Sequence, residues 1–328
     1  MRLCHSGFGV RPSLVIGGSL VGHSSFPPLA LAALWVAAVA PLRPELVSAG
    51  NLGSLAAAAL PLLVLAVGQL FVLLVGGIDL SASAVVGLAS VAGALAMTRT
   101  ESAAAGVAAM AGVGLAVGVF HGVAVAVLRM PAFLVTLATL IAVGGAAVWA
   151  TAAKPVTDLP EGFVALADSS RWGVAPGVGV AVLVAALAHL LLARTVTGKQ
   201  LYAVGLNPAT ARVSGVPVAA RVVLAFALCG LCGGVAAALY TARLEVGLAT
   251  LVPKEILLDV LGAAVIGGAS LRGGRGTVPG VVVGVVVIAL IGNSLTLLDL
   301  DHWHVMMAKG GLIFLAAGLD VWRTRGAA

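Results

Sequence analysis

The 328 residues carry a net charge of +6, and 61% of them are hydrophobic while only 9% are charged. A soluble domain has roughly 45–50% apolar and about 25% charged residues, so this composition excludes an ordinary soluble protein. The apolar segments are rich in Ala, Val, Leu and Gly and lack the alternating pattern of a membrane β-barrel. The sequence therefore predicts an all-α polytopic membrane protein.

Ten apolar stretches approach the length of about 20 residues that a helix needs to cross a bilayer. They fall near residues 26–42, 54–76, 81–98, 103–128, 131–152, 174–193, 218–242, 257–270, 277–298 and 303–321. We therefore expect about 10 transmembrane helices. A count of eight or nine is compatible with the pattern, because Pro27-Pro28 breaks the first stretch and the eighth stretch is short.

Three regions are expected along the chain. A basic segment at 1–25 is a candidate for disorder, a single transmembrane domain covers 26–322, and a basic tail follows at 323–328. With the N-terminus placed inside, eleven Lys and Arg residues lie on the cytoplasmic side and six lie outside. This distribution satisfies the positive-inside rule and places both termini in the cytoplasm. The basic excess thus reflects topology and gives no reason to expect nucleic acid as a partner.

A polar, glycine-broken motif separates the second and third apolar stretches. It reads Gly77, Ile78, Asp79, Leu80 and Ser81, with a further glycine before it. A charged residue between two membrane segments is costly, so it is a functional hypothesis by default. The structural alternative is that Asp79 caps the third helix, where the helix dipole favours a negative charge.

The largest cytoplasmic loop, residues 194–217, contains signals for a short helix of its own. Asn207 is a favourable N-cap, and Pro208 suits the first helical position. Gly215 can adopt the left-handed conformation that ends a helix. We therefore expect a helix at 208–214 that serves as a docking element for a partner; the alternative is an ordinary interfacial helix.

Uncharged polar groups and a few charges lie within the predicted spans. Thr136, Thr139, Asp259, Asn293 and Ser294 are candidates for a solute path. The structural alternative is that each hydroxyl bonds to its own helix, and that the carboxylate pairs with the lysine of the tenth span.

Several kinds of chemistry lack their motifs. The sequence has no Gly-x-x-x-x-Gly-Lys-Ser/Thr phosphate loop, no Ser/His/Asp set, and no histidines with metal-ligand spacing. Cys229 and Cys232 lie inside an apolar helix and are interpreted as small residues at a helix contact. Glycines that repeat every four residues on three spans predict the same close packing. We expect no catalytic residue and no metal site in this chain.

Four segments, taken in order, resemble the ribose-type ABC permeases, the membrane subunits of bacterial sugar importers. The segments are residues 76–83, 131–137, 198–216 and 258–274. Their order and spacing over about residues 50–320 make the resemblance specific. Gly262 departs from the alanine expected in that family, and the N-terminal 25 residues have no recognised counterpart.

The resemblance implies a function, a location and a set of partners. The chain would be a permease that imports a simple sugar, pentose or hexose, across the bacterial plasma membrane. It would hold no cofactor, since ATP and Mg would be bound by a cytoplasmic ATPase with two nucleotide-binding halves. A second permease copy, as a homodimer, and an extracytoplasmic sugar-binding protein would complete the assembly. The ATPase-coupling residues would be Gly198, Lys199, Tyr202, Gly205, Asn207, Pro208, Ala211 and Gly215.

Two alternatives stay open from the sequence. A permease of the same superfamily could carry nucleosides or branched-chain amino acids. A secondary transporter driven by protons or sodium would carry midplane carboxylates in broken helices of both halves. Asp79 fits the first half of that arrangement, but the second half has no matching break. The sequence does not identify the sugar, because selectivity in such importers resides largely in the binding protein.

Overall fold

The computed structural model describes residues 26–167, 175–253 and 255–325, and every regular element in this part of the chain is helical. The longer helices are α1 (Phe26–Val39), α2 (Ala49–Leu74), α3 (Ala82–Thr100), α4 (Ala103–Ala126), α5 (Ala132–Thr151), α7 (Pro176–Arg194), α8 (Val196–Leu206), α10 (Val218–Leu244), α11 (Ile256–Ile266), α12 (Val278–Leu297) and α13 (His302–Arg325). Short elements are a 3-10 turn at Pro44–Val47, α6 (Glu161–Val164) and α9 (Pro208–Val213).

Seven of the described helices are long and apolar enough to cross a membrane: α2, α3, α4, α5, α7, α10 and α12. The all-α prediction is confirmed, but the expected count of about ten spans is not. α1 has 14 residues and α11 has 11, so they extend only about 21 and 17 Å at a rise of 1.5 Å per residue. A bilayer core is about 30 Å thick. α13 has 24 residues but is less apolar than the seven.

The ends of the chain are described only in part. The predicted N-terminal segment at 1–25 and the last three residues, 326–328, lie outside the described residues. α13 continues through Arg325, three residues into the segment expected to be a tail. The cytoplasmic placement of both termini stays a prediction.

α2 and α10 form the centre of the bundle. In each of these two helices, 72% of the residues in the most apolar 18-residue stretch are buried, against 22% in α4, α5 and α7. A helix that is hydrophobic on all sides is stable either in a core or in lipid. The outer helices therefore leave broad apolar faces free for lipid or for another subunit.

Glycines allow α4 to pack backbone-to-backbone against α10, as their spacing predicts. A Cβ at Gly118 would lie 3.0 Å from the Ala227 Cα, and a Cβ at Gly122 would lie 2.6 Å from the Val223 Cα. The glycine pair on α12 packs against α11 in the same way. Close approach of this kind increases van der Waals contact where lipid offers no hydrophobic driving force between helices.

The link between α10 and α11 is fastened to its neighbours by hydrogen bonds. The Leu248 N–H donates to the Ser90 Oγ at 3.3 Å, and the Ser90 and Thr241 hydroxyls lie 2.7 Å apart. Val156, in the loop after α5, exchanges two backbone hydrogen bonds with Gly247. Through these bonds α3, α10 and this link form one hydrogen-bonded unit.

Candidate functional site

The predicted cytoplasmic loop contains the expected short helix, present as α9. Asn207 caps it, since its Oδ1 accepts hydrogen bonds from the N–H groups of Ala209 and Thr210, both at 3.0 Å. Pro208 occupies the first turn, and Gly215 follows the helix with a φ of +81°. The predicted start is confirmed, and the helix ends at Val213, one residue before the predicted end, so α9 is a helix with fixed ends.

A second helix in the same loop, α8, was not predicted. Thr195 caps it by accepting a hydrogen bond from the Gly198 N–H at 3.0 Å. Leu201 and Val204 are fully buried against the bundle, whereas Lys199 is exposed. Thr195, three residues before Gly198, is a residue type that favours the N-cap position, and it is the signal from which the start of α8 could have been predicted. α8 holds α9 against the membrane domain.

α8 contacts the end of α2 through backbone atoms. A Cβ at Gly205 would overlap the Leu74 carbonyl oxygen, and the Gly274 N–H donates to that same oxygen at 2.9 Å. We call Leu74, Gly205 and Gly274 the α2–α8 junction. It joins α8 to the end of α2 and to the turn that precedes α12, with no side chain between the backbones.

Tyr202 adds a side-chain hydrogen bond beside the junction. Its Oη donates to the Gly276 carbonyl oxygen at 2.8 Å. Burial raises the pKa of Tyr202 to about 12, so the phenol keeps its proton and stays a donor at physiological pH. α8 is thus fixed to the turn before α12 by this bond as well as by backbone contact.

The outer face of α9 is exposed and mixed in character. Ala211 is buried and sets the face that packs on the protein. Val213 is 90% exposed, the preceding Leu206 is 65% exposed, and Arg212 is exposed between them in sequence. Val213 on α9 and Leu206 at the end of α8 thus offer apolar contacts beside a positive charge, a combination suited to docking on another protein.

The glycine-broken motif lies between α2 and α3, immediately after the junction. Gly77 is buried, and a Cβ there would lie 3.0 to 3.1 Å from side chains of α2 and α10. Asp79 is only 3% exposed, and its Oδ1 accepts hydrogen bonds from the Ser81 N–H at 2.8 Å and the Ser81 hydroxyl at 2.6 Å. Ile78 and Leu80 are half-buried. Ser81, and not Asp79, stands at the N-cap position of α3, so the carboxylate binds the residue that starts the helix.

Three neighbours of Asp79 were missed at the sequence level. The His121 Nδ1 lies 3.6 Å from the Asp79 Oδ2, and the Cys229 thiol donates to the same oxygen at 3.7 Å. The Gln69 amide, oriented to satisfy both of its groups, bonds to the backbone N–H and carbonyl of Asp79 at 3.2 and 3.3 Å. His121 is the only titratable residue in α4, and that isolation within an apolar helix was the available signal.

The two threonines of the predicted solute path lie on α5 and bond to their own helix. The Thr136 hydroxyl donates to the Ala132 carbonyl at 3.0 Å and lies 3.4 Å from the Ile78 carbonyl. The Thr139 hydroxyl donates to the Val135 carbonyl at 2.9 Å. Thr139 also lines an apolar groove between α4 and α5. The structure thus brings Thr136 to the motif and leaves Thr139 one turn away at the groove.

Asn293 and Ser294, the path candidates on α12, bond to the first helices of the chain. Asn293 and Asn51 exchange two side-chain hydrogen bonds at 2.9 and 3.1 Å. The Trp35 indole N–H donates to the Ser294 Oγ at 2.7 Å. Both polar groups have protein partners, and no contact joins them to Thr136 or Thr139 in the described part of the chain.

Asp259, the last path candidate, forms an ion pair. Its Oδ2 lies 2.7 Å from the Nζ of Lys309 on α13, as the sequence alternative predicts. The two side chains are 18% and 24% exposed, so the pair is partly shielded from solvent. A hydrogen-bonded pair in such surroundings joins helices more strongly than an exposed one.

The cysteines lie at the predicted helix contact. Cys229 and Cys232 are free and buried on α10, and a Cβ at Gly68 of α2 would lie 2.7 Å from the Cys232 Cβ. Within residues 26–167, 175–253 and 255–325, no group of three or more His, Cys, Asp or Glu side chains is placed to hold a metal ion.

Most of the chain is similar to known membrane transport proteins. Residues 51–317 match the family described as branched-chain amino acid transport system / permease component. The chain belongs to this family. It is 32% identical to the ribose import permease protein RbsC of Escherichia coli (strain K12) over 292 residues, which cover 87% of this chain and 90% of that one. No solved structure matches the chain.

Two further relatives are named for the transport of other solutes. The L-arabinose ABC transporter permease protein AraH of Azospirillum brasilense is 32% identical over 262 residues, 79% of this chain and 76% of its own. The autoinducer 2 import system permease protein LsrC of Enterobacter sp. (strain 638) is 34% identical over 280 residues, 84% of this chain and 80% of its own. The resemblance to ribose-type ABC permeases is confirmed. The chain is a multi-pass protein of the bacterial plasma membrane.

Proposed function

We propose that this chain is the membrane-spanning permease subunit of an ABC importer and that its solute is a simple sugar, a pentose or a hexose. The observation that carries the proposal is the similarity over 79 to 87% of the chain to permeases named for ribose, L-arabinose and autoinducer 2 import. The chain supplies the passage through the membrane. A separate ATPase with two nucleotide-binding halves binds ATP and Mg and supplies the energy.

The coupling element in this proposal is the pair α8 and α9. α9 is capped at both ends and presents Val213 and Arg212 outward, so a groove on the ATPase can hold it as a rigid body. Backbone contact at the α2–α8 junction leaves little room for α8 to move alone. Movement of α9 would therefore displace the end of α2 and the Asp79 motif, as well as the flanking helices α7 and α10.

A second copy of the chain completes the passage in this proposal. α4, α5 and α7 expose most of their apolar residues, and an apolar groove lined by Phe120, Leu134 and Thr139 runs between α4 and α5. A homodimer that buries part of these faces would place the polar Thr136 and Thr139 close to the interface. The solute would be delivered by an extracytoplasmic sugar-binding protein.

Reconstitution tests the proposal. The chain is inserted into liposomes with its cognate ATPase enclosed at the cytoplasmic face and the binding protein outside, and uptake of labelled ribose and arabinose is measured. We expect accumulation that requires all three proteins and ATP hydrolysis, with a non-hydrolysable ATP analogue as the control. Accumulation of a solute against its gradient by the chain alone, without nucleotide, would show that the proposal is wrong and that a secondary transporter is present.

One further candidate has a specific observation in its favour. The family model is described by branched-chain amino acid transport, so leucine, isoleucine and valine belong in the same uptake assay, and nucleosides are included as the related class. ATP-dependent uptake of leucine without uptake of either sugar would assign the same mechanism to an amino acid.

A further inference from the structure

His121 is a buried polar side chain without a hydrogen bond. It lies on α4 with no exposed surface, and neither Nδ1 nor Nε2 has a hydrogen-bond partner within the described residues. A buried imidazole that gives up water without gaining partners costs free energy, so each such group needs an explanation.

Asp79 faces His121 with one incompletely satisfied oxygen. Its Oδ1 has both Ser81 hydrogen bonds, whereas its Oδ2 has the weakly donating Cys229 thiol at 3.7 Å and the His121 Nδ1 at 3.6 Å. The second distance is within ion-pair range and longer than a hydrogen bond. A buried carboxylate without a nearby positive charge is costly, and of the two side chains beside Oδ2 the His121 imidazole is the one able to carry such a charge.

The ring of His121 is held in position by aromatic and backbone contacts. Phe226 of α10 packs edge-on against it, with the ring centroids 6.1 Å apart, and the Phe120 ring lies at 6.0 Å in a tilted arrangement. Gly122, the next residue, brings α4 onto the backbone of α10. The imidazole thus belongs to the rigid α4–α10 pair, whereas Asp79 belongs to the non-helical segment between α2 and α3.

We infer that His121 is a positioning residue that forms a buried ion pair with Asp79 and so fixes the glycine-broken motif to the α4–α10 pair. The inference concerns the fold of this chain and does not depend on which solute it carries. It explains why two polar side chains, each incompletely satisfied alone, are brought together inside an apolar bundle.

A double-mutant cycle tests the ion pair. We compare His121→Gln, Asp79→Asn and the double variant by the temperature at which half of the detergent-purified protein remains unaggregated. We expect each single change to lower this temperature by several degrees. The temperature for the double variant should be no lower than that for the less stable of the two single variants, because an Asn–Gln pair needs no charge. His189→Gln, an exposed histidine on α7, is the matched control and should leave the temperature unchanged.

Additive losses in the double variant would overturn the inference, since they would show that His121 acts independently of Asp79. Recovery of folded protein in the double variant, when His121→Gln alone fails to accumulate, is rescue and supports the ion pair. Failure of all three variants would also overturn it, because a neutral pair of similar size would then be unable to replace the histidine and aspartate.

Discussion

Replacing Gly205 with alanine tests how tightly α8 and α9 are joined to the bundle. A Cβ at this position would overlap the Leu74 carbonyl oxygen and the Gly274 nitrogen, and would lie 2.9 Å from the Leu74 carbonyl carbon. All three are backbone atoms, which cannot move aside as the end of a side chain can. Inserting a methyl group into a packed site costs about 1–3 kcal/mol, while removing a helical glycine returns about 0.5–1 kcal/mol. The net loss should be about 1–2 kcal/mol.

This free energy would be lost from the conformation in which α8 and α9 pass movement of the ATPase to the bundle. ATP-driven uptake should then fall about 5- to 30-fold, since 1.4 kcal/mol is a factor of ten. The assay is uptake per ATP hydrolysed in the reconstituted system, measured beside the amount of folded protein in the membrane. Gly179→Ala on α7 is the matched control, because a Cβ there would meet nothing within 4 Å. Unchanged uptake and unchanged stability in Gly205→Ala would refute the close backbone contact and the coupling role built on it.

Three further substitutions follow from named hydrogen bonds. Asn207→Ala removes the cap of α9 and should cost about 1 kcal/mol of helix stability, seen as weaker binding of the ATPase in a pull-down from detergent, whereas Asn207→Asp, which can also cap, should retain binding. Tyr202→Phe leaves the Gly276 carbonyl unpaired and should destabilise the protein by about 1–3 kcal/mol. Its difference from wild type should shrink as the pH rises from 10 to about 12, because the unfolded phenol ionises before the folded one. Asn293→Ala leaves the Asn51 Oδ1 without its donor and should lower the unfolding temperature more than the double replacement of both asparagines by leucine does.

The sequence predicted features that depend on local chemistry. The caps of α9 follow from Asn207 and Gly215 alone, because capping involves residues within one turn. The glycine repeats predicted close helix contacts, and α4 and α10 do pack through Gly118 and Gly122. The polar, glycine-broken step placed the Asp79 segment correctly at the break between two spans.

Features that depend on tertiary contact were harder to predict. Leu201 and Val204 hold α8 against the bundle. The sequence of this segment does not show which surface of the bundle those two side chains would contact. The partners of Asp79 are 42 and 150 residues away in sequence at His121 and Cys229, so only the fold brings them together. The expected count of about ten spans is not confirmed, because hydropathy alone does not distinguish a full crossing from a buried half-length helix such as α11.

The hydrogen bonds around the α10–α11 link limit how far α3 and α10 can separate at this end of the bundle. Val156 and Gly247 connect the α5 exit to the link, and Ser90 connects the link to α3. A tilt that separated α3 from α10 at this end would break the bonds of Ser90 and leave their buried donors unpaired. A conformational change that opens the bundle should therefore keep α3, α10 and the α10–α11 link together and displace other helices.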